Sequence, residues 1–354
     1  MKPRIRSGHA VVHLERGESV IGSMTYGLGQ VMRDRDGLLL ALNQIVDGDR
    51  TLDASAEELC SALDVSLEAA HAFLRKLIGS GHIEDASAVT DLATEDQDRY
   101  SRSAHYFSWI ARTAEPSRWK PQELLKAARV TVIGVGGIGG AIATHLVSAG
   151  VGAIHLVDGD RVELSNLNRQ YLYCEADLGR YKVEAAADRL RSMNSACQIT
   201  TSSQEVTGPR RARELLAHCE LLFRAADRPD EMPYWVSDEA LKLGTPWIDC
   251  SYAGPMINCC IYVPGTTGCY RCLRDSARQR LEHEGRFGSF SESPPPFNAA
   301  FGPVVQMAGS LAAYEGVRFI TGLSPQTVGR AFHQNMFDYS HSYVVEVPDE
   351  CSHE

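Results

Sequence analysis

Two short alternating runs near the start, Ala10-Val-Val-His-Leu-Glu15 and Ser19-Val-Ile-Gly-Ser-Met24, flank Arg16-Gly17-Glu18 and predict a β-hairpin. Apolar positions at helical spacing then predict helices over Asp36 to Val46, Ser55 to Leu63 and Ser66 to Ile78. The last two open on Ser as N-cap, with Glu close behind. Gly79-Ser-Gly81-His-Ile-Glu84 closes the set with a turn and a short strand. This order predicts a small winged-helix-like α+β domain over residues 1–90. The acidic, weakly apolar stretch from 85 to 98 marks the boundary, with a linker at 91–98 and a second domain at 99–354.

The second domain opens on a different pattern. A β-branched run, Arg129 to Ile133, enters Gly134-Val-Gly136-Gly137-Ile-Gly139-Gly140, and Ala141 to Ala149 has helical character. A second apolar strand, Ala153 to Val157, ends in Asp158. Strand, glycine turn, helix, strand and acid in this order predict an α/β, Rossmann-like unit with a central, mostly parallel sheet. Glycines let backbone approach phosphate, and the helix N-terminus offers free N–H groups. The acid is placed to accept from ribose hydroxyls. The same fingerprint serves NAD, FAD and ATP binders.

Charge separates those ligands. A triphosphate needs more cationic compensation than a pyrophosphate bridge, and Arg169 and Lys182 follow the ribose acid within one βαβ unit. Asn166 and Gln170 add neutral donors, and Asp160 lies in the same polar string. Farther on, the apolar run Leu221-Leu-Phe223 leads to Asp227 at a strand's C-terminal end, where open α/β sheets bind ligands. A lone carboxylate there suits Mg²⁺, which uses one or two protein oxygens plus phosphates.

Residues 97 to 351 resemble the ubiquitin-activating-enzyme-like adenylating superfamily that includes the ThiF, MoeB and HesA proteins; the string Asp158 to Gln170 carries the likeness most specifically. The resemblance implies that the glycine loop at Gly134, Gly136, Gly137 and Gly139 holds ATP and that Asp158 binds ribose. It implies further that Asn166, Arg169 and Lys182 contact phosphates, with Asp160 and Gln170 in the cofactor-binding set, and that Asp227 holds Mg²⁺. The family often has Asp-Asn where this chain has Asp227-Arg228. Asp98-Arg99-Tyr100-Ser101-Arg102 resembles the Arg-Tyr-x-Arg segment whose second Arg reaches the γ-phosphate of the neighbouring subunit, which implies a homodimer.

Cys269-Tyr-Arg-Cys272 has the spacing that puts two thiolates on one tetrahedral zinc. The family's second CxxC lies near the chain end, where this chain has Cys351 followed by Ser352, His353 and Glu354. The expected structural Zn²⁺ ligands are Cys269, Cys272, Cys351 and His353, with the fourth position open. The adjacent Cys259 and Cys260, with Cys197, Cys219 and Cys250, read as core residues. The polar, then proline-rich segment from Arg274 to Gly302 reads as a long crossing loop. Sulfur-transferring relatives carry a Cys there, and this segment has none.

Composition narrows the partners. The 354 residues carry a formal net charge of −10, and the third predicted helix has only Arg75 and Lys76 against Glu68, so the cationic face that nucleic acid requires is missing. In front of an adenylating domain, the N-terminal unit resembles the peptide-recognition element of enzymes that modify ribosomal peptides, where a leader adds a strand to the hairpin edge. A dimerisation module and a DNA-binding one are the alternatives. No run approaches the roughly 18 apolar residues of a membrane span, and no signal peptide opens the chain, so a cytoplasmic protein with reduced thiols and no membrane partner is expected. The resemblance implies adenylation of a precursor-peptide carboxylate and capture by a nitrogen nucleophile, as in microcin C or pantocin A type enzymes. A sulfur-carrier adenylyltransferase is the alternative within the fold, and an NAD-dependent oxidoreductase or a nucleotide sensor without chemistry lies outside it.

Overall fold

The structure, a computed structural model, describes residues 1–23, 27–34, 37–111, 115, 117–283, 299–351 and 353. It divides into two compact units, Met1–Leu124 and Leu125–Glu354.

In the first unit the strands are β1 (Pro3–Ile5), β2 (Ala10–Leu14), β3 (Glu18–Gly22), β4 (Gln30–Arg33) and β5 (Ile83–Asp85). The helices are α1 (Leu38–Ile45), α2 (Leu52–Leu63), α3 (Leu67–Gly79) and α4 (Thr94–Ile110), and α5 (Lys120–Ala127) spans the division between the units. The hairpin forms as expected, with Leu14 opposite Glu18. The turn is Glu15 to Gly17, with Arg16 and Gly17 at φ 67° and 73°, one residue earlier than the expected Arg16 to Glu18. Strand β4 adds a third member in the order β2-β3-β4, and β1 pairs with β5. Neither β1 nor β4 is expected from sequence, because Pro3-Arg-Ile and Gln30-Val-Met-Arg are too short and polar to show alternation.

Helix α3 starts on Ser66, whose hydroxyl accepts from Ala69 N (3.2 Å). Helix α2 departs from expectation. It begins at Leu52, capped by Thr51 accepting from Ala54 N (3.2 Å), which leaves Ser55 buried within the helix. Ile21, Leu39, Leu42, Leu59, Leu74, Leu77 and Ile83 make the core of this unit. Residues 94–98, read from sequence as linker, form the first turns of α4.

In the second unit the strands are β6 (Arg129–Ile133), β7 (Ala153–Val157), β8 (Gln198–Ser202), β9 (Leu221–Arg224), β10 (Trp247–Ala253), β11 (Met256–Tyr262), β12 (Arg330–Asn335) and β13 (Tyr343–Glu346). The helices are α6 (Gly137–Ala149), α7 (Lys182–Met193), α8 (Pro209–Leu216), α9 (Met232–Leu243), α10 (Tyr270–His283) and α11 (Gly302–Thr321). The strands form one sheet in the order β13-β12-β11-β10-β9-β6-β7-β8. From β10 through β9, β6 and β7 to β8 all pairings are parallel, as the expected βαβ units require. From β10 through β11 and β12 to β13 they are antiparallel.

Strand β10 therefore belongs to both halves. It pairs with β9 only over Trp247 to Asp249, yet with β11 along its whole length. Its last residues overrun the end of β9, beside the C-terminal edge where a doubly wound sheet binds its ligand. Among the described residues, no helix is long and apolar enough to cross a membrane.

Candidate active site

A cavity of about 870 Å³ opens at the C-terminal ends of the parallel strands of the second unit, lined by the glycine turn and by Asp158, Asp160, Asn166, Arg169, Gln170, Lys182 and Asp227. The local sequence explains the turn. Gly134 sits at φ 85° with its N–H bonded to Val157 O (2.7 Å), and a side chain there would meet Ala226 N at 2.7 Å. A side chain at Gly139 would stand inside the Gly134 carbonyl, so only glycine lets α6 start this close to β6. The buried Tyr173 hydroxyl donates to Val135 O (2.6 Å) and fixes the turn from behind. Burial, reinforced by Asp158, Asp160 and Asp177, holds that phenol protonated well above its ordinary range.

Asp158 is committed on both oxygens, accepting from Val135 N (2.7 Å) and Asp160 N (2.9 Å). Each carboxylate oxygen can accept a further bond, so Asp158 can still take a ribose hydroxyl. Lys182 is largely buried at the start of α7, with its ammonium on Asp160 (2.7 Å). Arg169 donates through Nη1 to Ser165 O (2.7 Å) and Asn168 Oδ1 (3.1 Å), which leaves other guanidinium donors for an anion. Asn166 is buried and accepts from Glu163 N (3.1 Å).

Gln170 gives an independent test of fit. It is only 5% exposed, its Oε1 has no partner, and its Nε2 lies 3.7 Å from where a Cβ on Gly136 would stand. An unpartnered buried acceptor against a side-chain-free turn suits a ligand that offers a hydroxyl or amino donor, as a nucleoside does. The fit to a nucleotide is good.

Asp227 lies just past the end of β9 and lines the cavity with Arg228, Ser251 and Tyr252. Burial raises the Tyr252 phenol, with Arg169 opposing the shift and Asp227 adding to it, so charges of both signs act on this ring. Tyr252, Ser251 and Trp235 were not singled out from sequence, because only strand overrun and helix packing bring them to the cavity. Arg102 stands exposed on α4 in the first unit and is not among the residues that line the cavity of a single chain.

The four residues expected at the zinc site stand together in the structure. The ligand atoms of Cys269, Cys272, Cys351 and His353 all lie within 4.8 Å of one another. A tetrahedron of Zn–S bonds has S···S edges of about 3.8 Å and S···N edges of about 3.5 Å. The sulfurs stand 3.8 Å (Cys269 to Cys272) and 4.0 Å (Cys272 to Cys351) apart, with His353 Nδ1 at 3.5 and 3.3 Å from the first two. His353 Nε2 faces Asp275 at 3.6 Å, the outer carboxylate expected behind a ligating imidazole. These residues fit zinc, and His353 would take the open fourth position. Of the crossing loop expected from Arg274 to Gly302, the part up to His283 is helical and belongs to α10, and residues 284–298 lie outside the described residues.

A glycine turn, two cations and a strand-end carboxylate thus meet at one cavity of a doubly wound sheet. Residues 100–351 match the ThiF family, and the chain belongs to that family. It is 29% identical to the adenylyltransferase and sulfurtransferase uba4 of Aspergillus terreus over 269 residues, 72% of this chain and 53% of that one. The chain thus spans about half the length of the curated relatives it matches. Among solved structures, E. coli MccB superposes with a TM-score of 0.79 at 22% identity, covering 99% of this chain and 96% of that one. PaaA superposes with a TM-score of 0.71 at 25% identity, covering 97% and 99%. The whole-length likeness to MccB bears out the expected α/β fold.

Proposed function

We propose that this protein uses ATP and Mg²⁺ to adenylate a carboxylate on a ribosomally made precursor peptide, and that a nitrogen nucleophile then captures the acyl group in the biosynthesis of a peptide natural product. The observation that carries this reading is the convergence of Arg169, Lys182, Asp227 and the side-chain-free glycine turn on one cavity.

A carboxylate oxygen attacks the α-phosphorus, the bond to the bridging oxygen breaks, and pyrophosphate leaves. The nitrogen then attacks the acyl carbon, loses its proton, and AMP departs, giving an amide or imide according to which carboxylate reacts; a phosphoramidate would need that nitrogen to attack the α-phosphorus of a second ATP, with a second pyrophosphate leaving. Arg169 and Lys182 stabilise charge moving onto pyrophosphate, Asp158 fixes the ribose, and Asn166 and Gln170 orient the phosphates. Arg102 from a second subunit would complete the cationic set. Asp227 would hold Mg²⁺, which would supply neutralisation of the charge developing on the phosphates.

Two surface features support the partners. In the first unit β2 and β4 pair only with β3 among the described residues, and Val12 (43% exposed) and Val31 (59%) stand on these edges. Such edges suit addition of a leader-peptide strand. In the second unit Gln306 Nε2 joins α11 to Gly137 O (3.2 Å) and Arg169 O (3.1 Å), flanked by exposed Tyr171, Phe301 and Met307. That apolar surface beside the site suits a homodimer. MccB, which shares the fold, has been crystallised with ATP and with N-formylated MccA.

The second reading, adenylation of a ubiquitin-like sulfur carrier, is favoured by relatives named as adenylyltransferase and sulfurtransferase. Pyrophosphate exchange separates the two. Label returning to ATP with a precursor peptide supports the first reading, whereas exchange with a Gly-Gly-ended carrier and none with peptides replaces it. Zn²⁺ at the cysteine cluster would be structural, because four protein ligands leave no coordination position for substrate.

A further inference from the structure

A buried ion pair lies directly beneath the turn that carries Asp227. Arg224, the last residue of β9, stands opposite Asp249 of β10 in the parallel register. The two side chains are 8% and 4% exposed. The Arg224 Nε donates to Asp249 Oδ1, and its Nη1 reaches forward to the Ala226 carbonyl (2.6 Å). Burial opposes the charge on Arg224, but Asp249 outweighs it and holds the guanidinium above its ordinary value.

The second hydrogen bond is the informative one. Ala225 N is already held by Ile133 O of β6 (2.8 Å), and Ala226 packs over Gly134, leaving no room there for a side chain. The two residues before Asp227 are therefore pinned from both sides: one by the neighbouring strand's backbone, the other by Arg224. A staple serving only the sheet would bond to strand atoms, and this one bonds to a loop carbonyl outside the strand. The pair is also close to neutral as a unit, so it adds little field for a bound anion. Its contribution is direction rather than charge.

We propose that Arg224 is a positioning residue for the metal-binding carboxylate: clamped by Asp249, it fixes the Ala226 carbonyl and so sets the direction in which Asp227 enters the cavity. This rests on the reading of Asp227 as the Mg²⁺ ligand. Lysine cannot replace Arg224, because one ammonium does not reproduce the two divergent donors. An apolar pair of similar volume should preserve the fold, since buried ion pairs are often replaced by packed hydrophobic residues without loss of stability.

The test uses the full chain as wild type, Arg224→Lys, the double variant R224M/D249L, and Asp227→Ala. For each, the dissociation constant of ATP is measured with Mg²⁺ and with EDTA, alongside the melting temperature. The gain in ATP affinity that Mg²⁺ confers should shrink by about 10- to 100-fold in both Arg224 variants, the scale typical of lost support behind a metal ligand. Affinity in EDTA should hold, and the double variant should melt near wild type. If the Arg224 variants keep the wild-type Mg²⁺ gain while Asp227→Ala loses it, the positioning role is overturned and the metal reading stands. If Asp227→Ala also keeps the gain, the metal reading falls and the positioning role falls with it.

Discussion

The ammonium of Lys182 lies 2.7 Å from Asp160 Oδ2, the lysine 8% exposed and the aspartate 66%. The cation is thus held at the cavity wall by a partner that water also solvates. Phosphate can displace this carboxylate at modest cost, because the pair is only half buried.

Releasing Lys182 from that partner has a sign that can be measured. Asp160→Asn should tighten ATP binding in EDTA, since the cation then faces the phosphates unopposed. It should also lower stability by about 1–3 kcal/mol, the cost of leaving a largely buried charge without its partner. Calorimetric ATP titration and a thermal melt check both, and weaker ATP binding in EDTA would assign Asp160 to ligand contact instead.

Loss of the cations themselves should be severe. Lys182→Ala and Arg169→Ala should each lower pyrophosphate exchange by about 10²–10³-fold, the scale of removing one preorganised donor from a developing charge. The melting temperature of Arg169→Ala should hold, because its side chain bonds only local groups.

The glycine turn makes a graded prediction. Gly139→Ala drives a Cβ into the backbone of Gly134 and should abolish ATP binding along with stability. At Gly137 the nearest atoms are a Val305 methyl at 3.0 Å and Arg169 O at 3.2 Å, so Gly137→Ala should be milder, about 1–3 kcal/mol of overpacking. Equal effects at the two positions would mean that the turn is looser than its geometry implies.

One zinc ion per chain is expected by elemental analysis, and Cys272→Ser or His353→Ala should lose it and lower the melting temperature. Metal release should increase as pH falls, because thiolate and imidazole ligands must be free of protons to bind. Retention of full zinc by Cys272→Ser would remove that residue from the ligand set.

Alkaline stability should depend on Cys219. Burial pushes its thiol from an ordinary 9.0 up to about 11. Between these values the unfolded chain ionises while the folded chain keeps the proton, so stability is complete below pH 9 and declines as pH rises toward 11. Cys219→Ala should flatten this decline by on the order of 2 kcal/mol across the window, read from denaturant midpoints at each pH.

What was legible in the sequence was local. Gly134 to Asp158 encodes a turn, a helix start and a strand end within one short stretch, and backbone geometry alone demands those residue types. Cys269 and Cys272 sit on one turn of chain, so their spacing also speaks directly. Arg224 and Asp249 were silent, because their partnership depends on the register of two strands that meet only in the folded sheet. Strands β12 and β13 were equally hidden: Arg330-Ala-Phe-His-Gln-Asn and Tyr343-Val-Val-Glu lack clean alternation and acquire their identity from β11. By type Ser55 is a better cap than Thr51, but Ser55 is buried within α2 and the hydroxyl of Thr51 accepts from Ala54 N instead.

Because β10 joins the parallel and antiparallel halves, a single-residue slip along it would pull Asp249 from Arg224 and at the same moment unseat every cross-strand partner on β11. The two halves cannot be exchanged between proteins like separate bricks. Natural variation in this lineage should therefore collect in the segments that join the strands, while the stretch from Trp247 to Ala253 keeps its length.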